Sequence, residues 1–194
     1  MGDPKKQRKK YETPKKPWDA QRLQIELRYM GEYGLRNKRE LWKHRTQLSR
    51  IRAIARSLLA QPPEVRAEAE KRLLGKLRRM GLLSESATLE DVLDLTIDDI
   101  LNRRLQTLVY KMGLAKTIYQ ARQLIVHGHI AVKDRVVRVP SYLVKAGEDS
   151  MITYAPKSPF NDPKHPVRIA IETLHATAKM EEVSKELGNA AEGS

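Results

Sequence analysis

The feature that most constrains this chain is a change of hydrophobic period at Gly128. Before that glycine, apolar residues recur every three or four positions in stretches punctuated by glycine and proline, the spacing of helices that pack along one stripe. After it the period falls to two: Ile130 and Val132, a polar turn at Lys133, Asp134 and Arg135, then Val137 and Val139 ahead of Pro140. Tyr142 with Val144, and Ile152 with Tyr154, predict further short strands on either side of a turn at Gly147, Glu148 and Asp149. An α+β chain is expected: an all-helical N-terminal region, then a small α/β module in which two helices pack on short antiparallel strands.

The helical part divides residue by residue. Leu23, Leu27 and Met30 mark a first helix from Trp18 to the glycines at 31 and 34. Asn37 followed by Glu40 has capping-box spacing and predicts a helix to about Leu59, with Leu41, Leu48, Ile51, Ala55 and Leu58 on its apolar face. Arg39, Lys43, Arg45, Arg50, Arg52 and Arg56 occupy much of the remainder. Pro62 and Pro63 open a third helix, with Val65, Ala69, Leu73, Leu77 and Met80 as its buried stripe until Gly81. Thr88 with Asp91 and Thr96 with Asp99 predict two more helix starts. The second is expected to run to about Met112, with Leu101, Leu105, Leu108 and Met112 inward and Arg104 and Lys111 sharing an outward face. Gly113 ends it, and Thr117 with Gln120 begins another whose inner members are Ile118, Ala121, Leu124 and Ile125. Beyond Ala155 come four prolines and then a helical, partly acidic end from about Arg168.

Charge narrows the partner. Lys and Arg outnumber Asp and Glu 37 to 24, a net charge of +13. Counted by segment, the ratio is 17 to 6 through residue 60, 6 to 9 through Asn102, 9 to 1 from Arg103 to Lys145, and 5 to 8 thereafter. Two basic regions separated by a mildly acidic one predict two contact surfaces for a polyanion, and nucleic acid is the polyanion that rewards such neutralisation by releasing counterions. Seven Lys/Arg and three Pro among the first seventeen residues predict a basic arm that orders only on its partner. Without an apolar run near the ~20 residues of a membrane span or a signal-peptide core, neither insertion nor secretion is expected. The absence of cysteine excludes disulfides and thiolate metal ligands and fits a reducing cytosol.

From Arg103 to Tyr154 the motifs run in a specific order: the Arg103-Arg104-Leu105 start, the Gly113-Leu114-Ala115 turn, the capped Ala121-Arg122-Gln123-Leu124-Ile125 helix, Gly128, the Ile130-Ala131-Val132 strand, and Val137 to Ser141 with its Pro140-Ser141 pair. This string resembles the small RNA-binding module named after the fourth protein of the small ribosomal subunit. The stretch Gly31 to Trp42 is similar to the archaeal and eukaryotic branch of that same ribosomal protein family. Together the resemblances cover about Tyr11 to Pro159. With the composition they divide the chain into a basic arm over 1–17, a helical region over 18–102, the RNA-binding module over 103–160 and a tail over 161–194, the arm and tail lying outside the specific motifs. A cysteine zinc site found in some bacterial members does not transfer to a chain without cysteine.

The resemblance implies a structural, non-catalytic protein of the cytoplasmic ribosome that binds small-subunit ribosomal RNA. It would nucleate assembly of the subunit body, contact neighbouring small-subunit proteins near the messenger entry path and contribute to accuracy, with no cofactor, no small-molecule substrate and no membrane partner. Matching positions in the module are Arg103, Arg104, Lys111, Lys116, Thr117, Gln120, Arg122, Gln123, His127, Lys133 and Arg135. The N-terminal region adds Arg36, Lys38, Arg39, Lys43, Arg45 and Arg52. Arg can fork onto phosphate or stack on a base, Lys supplies a point charge, and Gln or Thr can reach a 2′-hydroxyl. A free-standing RNA chaperone or translational repressor using the same module is the alternative. His127 and His129 lack the further ligands of a metal shell, and Asp98 and Asp99 fit helix-start carboxylates better than acid-base catalysts. Trp18, Trp42 and Tyr33 are expected as core or interface anchors.

Overall fold

The computed structural model describes residues 9–174; the beginning of the expected arm (1–8) and the end of the expected tail (175–194) lie outside the described residues. The fold is α+β and divides into two compact units. One comprises the chain up to Arg103 together with Leu143–Ala146; the other comprises Arg104–Tyr142 and the chain from Gly147.

The first unit is helical: α1 (Ala20–Glu32), α2 (Lys38–Leu59), α3 (Pro63–Arg79), α4 (Leu89–Asp94) and α5 (Ile97–Asn102). The other four all pack on α2. Leu48, Ala55 and Leu58 of α2 meet Leu73, Leu74 and Leu77 of α3, and Leu89, Val92 and Ile100 close the same core. Local chemistry sets the ends. Asn37 Oδ1 accepts the Glu40 N–H at 3.1 Å, and Thr88 with Asp91 and Thr96 with Asp99 form reciprocal capping boxes.

Three sequence expectations change here. Leu27 stands 59% exposed while Glu26, one position away, is buried, because Arg22, Lys38 and Trp42 converge on that carboxylate. In α3 only Leu73, Leu74 and Leu77 are buried; Val65 and Ala69 of the first turns face solvent, beyond the reach of the core. The described part of the arm is also not free. The Glu12 N–H donates to Thr46 Oγ1 at 3.0 Å, and the Tyr11 ring lies 6.0 Å from that of Trp42, so this stretch runs along α2.

In the second unit, α6 (Leu105–Lys111) and α7 (Ile118–Val126) pack together and are followed by β1 (Ile130–Val132), β2 (Arg135–Val136) and β3 (Ile152–Tyr154). The antiparallel sheet has the order β2-β1-β3, with Ala131 opposite both Val136 and Thr153. Both helices end in a left-handed glycine, Gly113 at φ 74 and Gly128 at φ 79. In each case the next N–H reaches back to the carbonyl five residues earlier, Leu114 to Val109 and His129 to Leu124, which satisfies the last carbonyls.

The helix expected to run from Thr96 to Met112 is two helices. At Arg104 the backbone is extended (φ −70, ψ 139). The Arg103 carbonyl accepts the Val144 N–H at 2.9 Å, and the Leu105 N–H donates to the Tyr142 carbonyl at 2.8 Å, so the groups that would continue the helix are bonded elsewhere. Those bonds also replace the strand expected at Tyr142 and Val144. Alternation holds in β3, where Ile152 and Tyr154 are buried around an exposed Thr153, but all three residues of central β1 are buried. On the edge strand β2 both residues are exposed, and Val139 is 53% exposed past its end.

Candidate nucleic-acid interface

The outward side of α7 follows from its inner one. With Ile118, Ala121, Leu124 and Ile125 buried, the residues at complementary spacing are Lys116 just before the helix, then Tyr119, Gln120, Gln123, Val126 and His127. Thr117 caps the helix by accepting the Gln120 N–H at 3.2 Å, and Gln120 Oε1 in turn accepts the Lys116 N–H at 2.6 Å. This exchange fixes where Lys116 leaves the chain. Lys111, Lys116, Thr117, Gln123, His127, Lys133 and Arg135 are all exposed. No carboxylate lies on this helix, so the face has one sign of charge.

Several expected contacts have other work in the structure. Arg104 is fully buried at 0% exposure and cannot lie on a surface. Arg103 donates from Nη2 to the Val144 carbonyl at 2.8 Å and the Lys145 carbonyl at 3.1 Å, holding a loop of the first unit. Arg122 is half-buried, with Nη1 3.4 Å from Gln106 Oε1, and Lys133 forms a 3.1 Å ion pair with Glu148. Glu148 also accepts from the Tyr142 hydroxyl at 3.0 Å, and burial followed by that bond pushes the Tyr142 phenol up.

In the first unit the cations of α2 form two stripes. Arg39, Lys43 and Arg50 lie opposite the buried arc of Leu41, Leu48 and Ala55, while Arg45, Arg52 and Arg56 flank it. Arg36, Arg39, Lys43, Arg45, Arg50 and Arg56 are exposed and form no ion pair among the described residues. Two of the expected set differ: Lys38 is paired with Glu26 at 3.3 Å, and Arg52 donates to the Leu95 carbonyl at 2.5 Å. The second stripe borders an open groove of about 730 Å³. Asp19, Glu26 and Asp98 also line that groove, so it is mixed in charge where the outer stripe is purely basic.

The aromatic anchors separate into three cases. Tyr33 is a core residue whose hydroxyl donates to Asp98 Oδ1 at 2.9 Å, and Tyr29 donates to Oδ2 at 3.1 Å; burial and then the Asp98 bond raise both phenols. Trp42 is half-buried with its Nε1–H on Glu26, whereas Trp18 is 89% exposed and belongs to no core. Tyr119, 60% exposed on the α7 face, is a candidate outside the expected set. Its signal was available: it follows Lys116 by three positions and precedes Gln123 by four. His127 and His129 have rings 6.4 Å apart, and burial followed by the charge of His127 holds the His129 imidazole below its usual range. Among the described residues no cluster of three or more metal-ligating side chains occurs, and no helix is long and apolar enough to cross a membrane.

Both parts of the chain are similar to known proteins. Residues 103–150 match the family described as the S4 domain, and residues 5–102 match the ribosomal protein S4/S9 N-terminal domain. The chain is 61% identical over 160 residues to a protein of Hyperthermus butylicus named small ribosomal subunit protein uS4, covering 82% of this chain and 91% of that one. Proteins of the same name from Ignicoccus hospitalis and Metallosphaera sedula are 57% and 56% identical, covering 82% and 84% of this chain and 96% and 91% of theirs. With both halves matched in order and near-complete relatives at this identity, the chain belongs to the uS4 family of small-subunit ribosomal proteins.

Proposed function

We propose that this protein is a structural constituent of the small ribosomal subunit that binds ribosomal RNA through two basic surfaces, the outer stripe of α2 and the outward face of α7. The observation that carries the reading is the stripe of exposed cations on α2 that form no ion pair among the described residues, together with exposed Lys116 at the start of an α7 that carries no acid, in a member of the uS4 family. Lysines and arginines there grip phosphates, Thr117 reaches a 2′-hydroxyl, and Tyr119 stacks on an unpaired base. Because both surfaces sit on rigid elements, binding follows the shape of a folded RNA more than its sequence. Holding several RNA helices at once would make the protein an early nucleus for assembly. Contact with neighbouring small-subunit proteins, proximity to the messenger entry path and an effect on accuracy belong to the same proposal, as does residence on cytoplasmic ribosomes.

The test is affinity for small-subunit ribosomal RNA as a function of salt. If about six phosphates are neutralised, the log-log slope is roughly −4 to −5. A slope near zero, or no preference over a synthetic polyanion of equal charge, overturns the reading. Retention in salt-washed subunits separates it from a free-standing chaperone or repressor, which the wash would remove.

A further inference from the structure

Beside the α7 face lies a small recess that no phosphate contact explains. It is lined by Gln120, Gln123, Leu124 and His127 of the helix end, His129, and Phe160 with Val167 from the segment after the sheet, and its volume is about 340 Å³. That size falls at the low end of small-ligand sites, roughly 300–1,000 Å³. Its floor is apolar and aromatic, its rim is polar, and no acid lines it.

The floor is held in place. The His129 ring meets Phe160 edge-on at 4.8 Å, and His129 Nδ1 lies 3.0 Å from Ser158 Oγ. Ser158 Oγ also accepts the Phe160 N–H at 3.2 Å, and the His165 ring is 4.9 Å from Phe160. The Ala155 N–H donates to the His129 carbonyl at 2.8 Å, tying the segment to the start of the sheet. The rim, by contrast, keeps its hydrogen-bonding capacity. The Gln123 amide and the His127 imidazole make no hydrogen bond among the described residues, and Gln120 uses only its oxygen. Gln123 therefore offers a donor and an acceptor side by side, the pairing that a base edge presents in return.

We infer that this recess receives a single unpaired RNA base, with Phe160 as its stacking floor and the Gln123 amide reading its edge. The inference rests on the proposed RNA-binding role and adds to it a position of base recognition. It also gives the segment after the sheet a purpose, since Phe160 and Val167 lie outside the stretch matched by the S4 domain. An apolar side chain from a neighbouring protein would leave the two amides and the imidazole unanswered, whereas a base satisfies them and brings the negative charge that Lys116 at the edge of this face attracts.

The experiment is base-specific chemical probing of small-subunit ribosomal RNA bound to the full-length protein, with Gln123→Ala and Phe160→Leu as variants. Phe160→Leu keeps an apolar floor without the ring, and Gln123 is exposed, so each tests the site without emptying the core. An unpaired base protected by the natural protein should regain reactivity in both variants. Affinity should fall at least about five-fold on loss of the ring, the smaller end of what one base stack contributes. The salt slope should hold, as neither change removes a phosphate contact. If no base protection depends on either residue while the RNA is still bound with a steep salt slope, the recess is not a base site though the RNA-binding role stands. If the RNA is not bound preferentially at all, both readings fall.

Discussion

Replacing Glu26 by Gln should destabilise the helical unit by about 2–3 kcal/mol. Its carboxylate is 2% exposed and receives Arg22 Nη1 at 2.5 Å, Trp42 Nε1 at 3.0 Å and Lys38 Nζ at 3.3 Å. Removing one partner of a fully buried pair costs about 3–5 kcal/mol, since the other charge is left uncompensated. That figure is an upper bound here, because the Arg22 and Lys38 side chains retain 14% and 30% exposure and water can take up part of the loss. Glutamine keeps one acceptor of the same shape, so packing is preserved and the lost charge is what the experiment reads. Burial raises the Glu26 pKa, but the bonds from Trp42, Arg22 and Lys38 and the Arg22 charge outweigh it and leave the group below its ordinary value of 4.5. A lowered carboxyl pKa contributes stability that is fully present above the unfolded value and disappears as pH falls through the folded one. The gap between natural protein and Glu26→Gln should therefore be full at pH 7 and shrink below about pH 4.5, the ordinary carboxylate value. Urea unfolding followed by circular dichroism at pH 7 and at pH 3.5 measures both, and the pH 7 midpoint in a thermal scan should fall by roughly 4–12 °C. A pH 7 difference under 0.5 kcal/mol, or one of equal size at both pH values, would refute the argument that three donors hold an ionised Glu26.

Other substitutions separate fold from contact. Gly128→Ala should cost about 1–2 kcal/mol in chemical denaturation, because φ is +79 and a Cβ would also lie 2.9 Å from Arg138 Nε. Arg104→Glu should unfold the second unit before any RNA measurement is possible, placing an acid at a position of 0% exposure, with a loss of about 3–5 kcal/mol by circular dichroism. Lys116→Glu, on an exposed residue, should leave the melting curve unchanged and make the salt slope shallower by about one. Tyr119→Ala should weaken ribosomal RNA binding by about 1–3 kcal/mol in filter-binding or fluorescence titration, with the slope preserved, since a stack and not an ion contact is removed.

Most of the architecture was legible because it is written in local chemistry. The Thr-x-x-Asp boxes at Thr88 and Thr96, the Asn37 cap and the left-handed Gly113 and Gly128 depend on neighbours within a few residues, and each appears where the sequence puts it. What was not legible depends on distant partners. Apolar spacing alone cannot tell that Arg104 is extended, because the bond that stops the helix comes from Tyr142, far along the chain. Charge counting likewise treats Arg103 and Lys38 as surface cations, though one grips the Val144 carbonyl and the other Glu26. Nor can spacing bring Phe160 beside Gln123 and His127 in the recess, since they are more than thirty positions away.

The acids explain why the remaining cations need an external partner. Glu26 faces Arg22 and Lys38, Asp98 holds Tyr29 and Tyr33, Asp91 and Asp99 cap their own helices, and Glu148 faces Lys133 and Tyr142. On α3 the charges pair along the helix, Arg66 with Glu70 and Arg72 with Glu68. Internal neutralisation is thus concentrated where structure requires it, and α3 sets three acids, Glu64, Glu68 and Glu70, among its six cations. Arg39, Lys43 and Arg50 on the outer stripe of α2 form no ion pair among the described residues, and α7 with Lys116 before it carries no acid, so their charge is best neutralised by a partner carrying the opposite sign. A cation on α3 and a cation on α2 should therefore behave differently under charge reversal. Lys71→Glu should change ribosomal RNA affinity less than two-fold, whereas Lys43→Glu should lower it several-fold and flatten the salt slope by about one. Equal losses from the two variants would mean that binding follows net charge alone, and that the placement of the acids has no bearing on where the RNA lies.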